Sequence, residues 1–344
     1  MRIWFALLAV ALALPACSGG TAGGAPRVPA SSSPSVAPTS SPTTAPTTSP
    51  KPVATPSASA SLAPARATIG SCTVFPADNA WNEDVSHLAV DANSSAYLAE
   101  MNPSGATHIH PDFGSDPSYG IPINVDTISA ANFTPIAFTL YPDESDPGPY
   151  PIPSSPAIEA GSDHHMLIVD QADCKLYETW MAQFSGGAWS AANGAVFDLG
   201  SDALRPEGWT SADAAGLPIA AGLVRYAEVR AGAIDHAIRF TMSTTFKGHI
   251  HPATHDAGGN VANSPPMGLR IRLKSSFALN VFHGQSLVIL TALARYGAIL
   301  ADNGSDFYFS GEPNPNWNDD DLDQLKTVPA SAFEVVHTGP IITP

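Results

Sequence analysis

The chain has 344 residues and a formal net charge of −16, with 31 acidic residues against 15 basic ones. That balance excludes a nucleic-acid binder, whose phosphates need Lys and Arg for neutralisation. It also disfavours docking on an anionic membrane surface.

Met1-Arg2 is followed by an almost unbroken apolar run, Ile3 to Leu14. About a dozen residues are too few to span a bilayer but suit the hydrophobic part of a signal peptide. The run closes in Leu14-Pro15-Ala16-Cys17. This ending resembles a bacterial lipobox, in which cleavage precedes a lipidated cysteine. Residues 1–17 therefore read as a lipoprotein signal peptide with Cys17 as the lipidated residue. An ordinary signal peptide with a chance cysteine is the alternative. Residues 18–67 are dominated by Pro, Ser, Thr and Ala, with no aromatic and no acidic residue. Such a segment cannot bury enough apolar surface to offset its chain entropy, so a disordered tether is expected. At ~3.1 Å per residue in polyproline II conformation it reaches on the order of 150 Å. The expected result is an exported domain, attached to the membrane only through its lipid.

Residues 68–344 read as a single globular domain, carrying all 31 acidic residues. Helical signals are few: Ser94 to Met101, Ser286 to Ala301, and a turn or two over Asp319 to Lys326. Strand signals are more numerous: Pro135 to Leu140, His165 to Val169, Lys175 to Met181, Ala237 to Met242 and Leu269 to Leu273. The fold class expected is mainly β, a β-sandwich or jelly-roll-like domain with one or two packed helices. Leu269 to Lys274 alternates, placing Arg270, Arg272 and Lys274 on a polar face. With Cys17 lipidated, Cys72 and Cys174 remain, and in an oxidising compartment they are expected to pair.

The 11 histidines cluster. His108-Ile109-His110-Pro111-Asp112 is one group, Asp163-His164-His165 a second and Asp235-His236 a third. His249-Ile250-His251-Pro252 with His255-Asp256 is the fourth. On a strand, residues two apart face the same way, so each His-x-His pair presents two imidazoles together. His108, His110, His251 and His255 are thus candidate ligands for a divalent metal such as zinc or calcium. Scattered structural histidines are the alternative. Hydrolysis of a glycosidic bond needs two carboxyl groups, for which Asp112, Glu178 and Asp198 are candidates. Alternation puts Glu178 and Trp180 on one face, a carboxylate beside an aromatic platform. Trp209 in a loop offers another stacking surface. His110 is a further catalytic candidate. A lyase instead needs a base such as His or Tyr, for which His165 and His236 are candidates, and an arginine for a uronate carboxylate. Arg239, Arg270 and Arg272 fill that role on strands. No nucleophile elbow, Walker loop or dinucleotide loop is present.

Several segments carry a resemblance together. They are Cys72 to Asn82, His110 to Gly114, Leu204 to Gly216, Pro265 to Arg270 and Ile299 to Ser305. The chain resembles an uncharacterised family of exported bacterial proteins, with no activity to carry over. The expectation from the residues is an extracellular carbohydrate-active enzyme, glycoside hydrolase or polysaccharide lyase, acting on a polysaccharide or cell-wall glycan as a monomer. A non-catalytic glycan-binding lipoprotein and a metal-dependent hydrolase of another substrate class are the alternatives.

Overall fold

The apolar residues of residues 68–344 come in short β-branched and aromatic runs broken by Pro, Gly and Asp, a pattern that favours strands. In the computed structural model, which describes residues 66–126 and 133–344, strand outweighs helix, 28% against 18%. The signal peptide, Cys17 and the tether up to residue 65 lie outside the described residues.

The two larger sheets contain β1 (His110–Asp112), β2 (Ile123–Asp126), β3 (Met166–Asp170), β4 (Lys175–Trp180), β5 (Asn193–Asp198), β6 (Ile238–Met242), β7 (Arg270–Leu273), β8 (Ala298–Asn303), β9 (Tyr308–Ser310) and β10 (Phe333–Val336). The six-stranded sheet runs β10-β7-β8-β6-β9-β1 and the four-stranded sheet β5-β4-β3-β2. β3, β4 and β5 pair antiparallel, while β6 and β8 pair in parallel at the middle of the larger sheet. Successive side chains of β3 point to opposite faces. Leu167 and Val169 therefore join Phe240, Ile271 and Leu300 in the core shared with the larger sheet. Met166 and Ile168 pack on the other side with Tyr150 and Tyr177.

Five α-helices are described: α1 (Ser94–Met101), α2 (Ile219–Gly222), α3 (Tyr226–Ala231), α4 (Gly284–Arg295) and α5 (Asp319–Leu322). α1 has the bounds expected. The helix expected over Ser286 to Ala301 is shorter, because Ala298 to Ala301 belong to β8. Gly297, at φ +68°, makes the turn between them, and a Cβ there would stand 2.1 Å from the Ile271 carbonyl oxygen. Only glycine tolerates both conditions. A short buried apolar run does not distinguish helix from strand by periodicity.

The polar face expected on β7 is also covered. Arg270 and Arg272 are buried beneath the loop around residues 80–85. Cys72 and Cys174 form a disulfide, with Cα atoms 5.4 Å apart and a sequence separation of 102. A loop of that length is stabilised by about 4–5 kcal/mol in the chain-entropy account. Among the described residues no helix is long and apolar enough to cross a membrane.

Candidate active site

A cavity of about 290 Å³ opens where the ends of β4 and β8 meet the start of β5. Its lining includes Tyr141, Asp163, His165, Trp180, Asn193, the segment Thr210 to Ala214, His255 and Asp302. The 210–217 segment is shaped by its own polar side chains. Asp213 Oδ1 accepts the backbone N–H groups of Ala215 and Leu217, and Ser211 Oγ donates to the Leu217 carbonyl. This Asx-type turn fixes the Asp213 carboxylate and leaves its second oxygen free of the backbone.

Arg239 of β6 joins the two acids of the cavity. Its Nη1 donates to Ser310 Oγ at 2.8 Å. Its Nη2 lies 3.5 Å from Asp213 Oδ2 and 3.5 Å from Asp302 Oδ2. The two oxygens therefore stand no more than about 7 Å apart. Burial pushes Asp213 above the usual carboxylate range; Arg239 opposes this and Asp302 adds to it. Asp302 is raised by the same burial, with Arg239 and then His165 holding it down. Burial and mutual repulsion thus favour a proton on the pair, against the pull of Arg239 and His165. Asp213 Oδ2 and Arg239 Nε and Nη2 have no hydrogen-bond partner among the described residues.

His165 stands just before β3. Its Nδ1 meets Glu159 Oε2 at 2.6 Å and its Nε2 meets the Ala212 carbonyl oxygen at 3.0 Å. A carbonyl and a carboxylate only accept, so both ring nitrogens carry hydrogen and the ring is an imidazolium. Burial pushes its pKa down, but the Glu159 carboxylate outweighs that and the net shift is upward. Burial likewise raises Glu159, yet its bonds to His165 bring it below the ordinary value. The cavity rim is aromatic. Tyr141 and Trp180 lie with ring centroids 6.5 Å apart, and Trp180 Nε1 donates to Asp163 Oδ1 at 3.2 Å.

Of the residues singled out from the sequence, His165, Trp180 and His255 line this cavity, and Arg239 faces two of its lining acids. Asp112 and Glu178 do not line it. Asp112 is pushed up by burial and shares the field of Arg239. Glu178 is fully enclosed, and its carboxylate accepts the N–H groups of Ile219 and Ala220 at the start of α2. Burial pushes it up to about 7 against those two bonds. It anchors a helix, a task the alternation with Trp180 did not reveal.

The remaining candidates lie elsewhere. Asp198 ends β5 on the surface and accepts from Gly200 N in a turn. His236 is buried between the Ala237 carbonyl and Glu228. His110 stacks on Tyr308 at 4.0 Å and meets Tyr119 Oη at 2.8 Å. Trp209 packs against the Arg205 guanidinium. Arg270 and Arg272 do not line the cavity, and their nitrogens are taken up by internal bonds. Arg270 donates to the carbonyls of Tyr296, Ala80 and Glu83, and Arg272 to Val85 O and Glu334.

The four expected metal ligands do not converge. The His108 ring nitrogen meets the Ala106 carbonyl, and His110 is engaged as described. Among the described residues, the group able to hold a metal is Glu207, His249 and His251.

Asp213, Asp302 and Glu159 were missed. Asp213 and Asp302 fall within Leu204–Gly216 and Ile299–Ser305, two of the segments carrying the family resemblance. That was the available signal. A comparison with protein-family models, curated proteins and solved structures finds no match for this chain.

Proposed function

We propose that the protein is an exported, lipid-anchored glycoside hydrolase acting on an extracellular or cell-wall polysaccharide. The observation that carries this reading is the Asp213–Asp302 pair facing one Arg239 nitrogen in an aromatic-rimmed cavity. Cleavage of a glycosidic bond needs one carboxyl group protonated and the other ionised. Burial and mutual repulsion produce that division without a third group. Asp213, whose side chain has no exposure, keeps the proton; Asp302, at 23% exposure, is the ionised and more accessible partner.

In the proposed reaction Asp302 attacks the anomeric carbon, the bond to the leaving oxygen breaks, and Asp213 gives that oxygen its proton. Water then attacks the glycosyl–Asp302 ester and returns a proton to Asp213. A separation of at most about 7 Å admits both this covalent route, for which the carboxyl groups stand roughly 5–5.5 Å apart, and direct attack by water, for which they stand roughly 6.5–9.5 Å apart. Arg239 offsets the negative charge of whichever carboxylate is ionised. Tyr141 and Trp180 supply faces on which a sugar ring stacks. His165 has both N–H groups engaged and offers no basic nitrogen, so proton abstraction of the lyase type is less well supported.

The full enclosure of the Asp213 side chain favours a second reading, glycan binding without turnover. Incubation of the full chain with a panel of purified polysaccharides separates the possibilities. New reducing ends support the hydrolase, and unsaturated ends support a lyase. Retention on insoluble glycan without products supports the binding module. Neither products nor retention on any glycan sinks the carbohydrate reading.

A further inference from the structure

Outside the acid cavity, the structure brings two histidines and a glutamate from separate segments to one point. Glu207 lies in the loop between β5 and α2. His249 ends the short strand Phe246–His249, and His251 follows in the next turn. Each residue offers a ligand atom, and the three atoms lie within 4.8 Å of one another. We propose that Glu207, His249 and His251 bind a divalent transition-metal ion of the zinc class.

Imidazole and carboxylate donors suit this class of ion, and two His with one Glu is a set that leaves a fourth position for water or an exogenous ligand. Ligand atoms around a tetrahedral zinc stand roughly 3.3 Å apart, given bonds of ~2.0–2.1 Å. His251 Nε2 already stands 3.0 Å from Glu207 Oε2, and His249 Nε2 contacts Glu207 Oε1. Small side-chain shifts therefore suffice to admit the ion. The two rings lie with centroids 6.1 Å apart, on the same side of the chain, as residues two apart in extended backbone do.

A second observation concerns His249. The residue is 4% exposed, yet its Nδ1 has no hydrogen-bond partner among the described residues. A buried polar atom left unpaired is costly. The ring's one polar contact is Nε2 with Glu207 Oε1, two atoms that a shared ion would bridge. Glu207 and His249 also line a hollow of about 360 Å³, which gives an ion access from solvent and room for the fourth ligand. His255 lines both this hollow and the acid cavity, so the metal site adjoins the candidate active site without sharing its acids.

The test uses the full chain, without a histidine tag, titrated with Zn²⁺ by calorimetry and with Co²⁺ by visible absorption. One ion per chain is expected, with a rise in the thermal midpoint on Zn²⁺ addition. Glu207 and His251 have half-exposed side chains, so E207Q and H251A spare the core. Both are expected to weaken Zn²⁺ binding by at least about 100-fold, since even outer partners of a metal ligand cost 10–100-fold. H337A, at an exposed histidine elsewhere, is expected to bind as the parent does. Absence of stoichiometric binding overturns the proposal, as does equal affinity in E207Q and H251A. Neither readout involves glycan cleavage, so the metal site and the hydrolase stand or fall separately.

Discussion

Arg239 and Arg270 flank the same strand, β8, and both are almost fully buried, at 3% and 2% exposure. Their surroundings differ. All three guanidinium nitrogens of Arg270 donate to backbone carbonyls of Tyr296, Ala80 and Glu83. Arg239 makes one hydrogen bond, to Ser310, and turns Nη2 toward two acids too far away for good bonds, while Nε has no partner among the described residues. The saturated arginine pins a loop onto the sheet. The unsaturated one stands behind a cavity and sets the charge of the groups that face it. Burial alone does not separate a structural cation from a functional one; the hydrogen bonds it leaves unmade do.

The sharpest way to break this contrast is to remove the acids that face Arg239. Asp213→Asn and Asp302→Asn are each expected to lower kcat/KM for glycan cleavage by about 10³-fold or more, on the order of 4 kcal/mol. The urea midpoint serves as a check that the fold survives. Retention of most of the activity in both variants would remove the pair from the mechanism.

Stability should divide the two arginines. Arg270→Ala removes the donors to three backbone carbonyls, that of the buried Tyr296 among them, and is expected to cost about 3 kcal/mol in urea unfolding. Arg239→Met is expected to cost about 1 kcal/mol, because the released acids can protonate. Equal losses would show that both arginines are structural. Arg239 also holds the pKa values of Asp213 and Asp302 down. Its removal therefore raises them further, and the alkaline limb of the activity profile moves to higher pH. That limb belongs to the pair as a unit.

The His165–Glu159 pair predicts a pH dependence of stability. His165 is raised in the folded state, so its contribution is complete below the ordinary histidine value of 6.5 and is lost as pH rises through the folded value. Glu159 is lowered, so its contribution is present above 4.5 and is lost as pH falls through its folded value. The pair stabilises most in mildly acidic solution. Thermal midpoints measured against pH should flatten there in Glu159→Gln; an unchanged profile would contradict the ion pair. The smallest effect is expected at the rim, where Trp180→Ala should raise KM about 5-fold, near 1 kcal/mol, with little change in kcat.

Much of the scaffold was legible in the sequence because its causes are local. Helix α1 has the bounds read from the sequence, and the runs around β3, β4, β6 and β7 followed from β-branched and aromatic residues between breakers. The disulfide followed from cysteine arithmetic. α4 was overrun into β8 because the run after Gly297 is apolar in either conformation. Of the four metal ligands read from the sequence, His251 alone belongs to the group the structure brings together, and its partner Glu207 lies 44 residues away in sequence.

The sequence by itself determined a mainly β chain, its strand-forming runs and its cysteine pair, because propensity, alternation and redox setting act over short stretches. Tertiary structure alone decided which acids meet. Asp213 sits in a loop and Asp302 at the end of β8, and their place in segments of the resemblance is shared by Asp78, Asp112 and Glu207. What distinguishes them is desolvation and the charges that face them through space, and residue order does not reveal either.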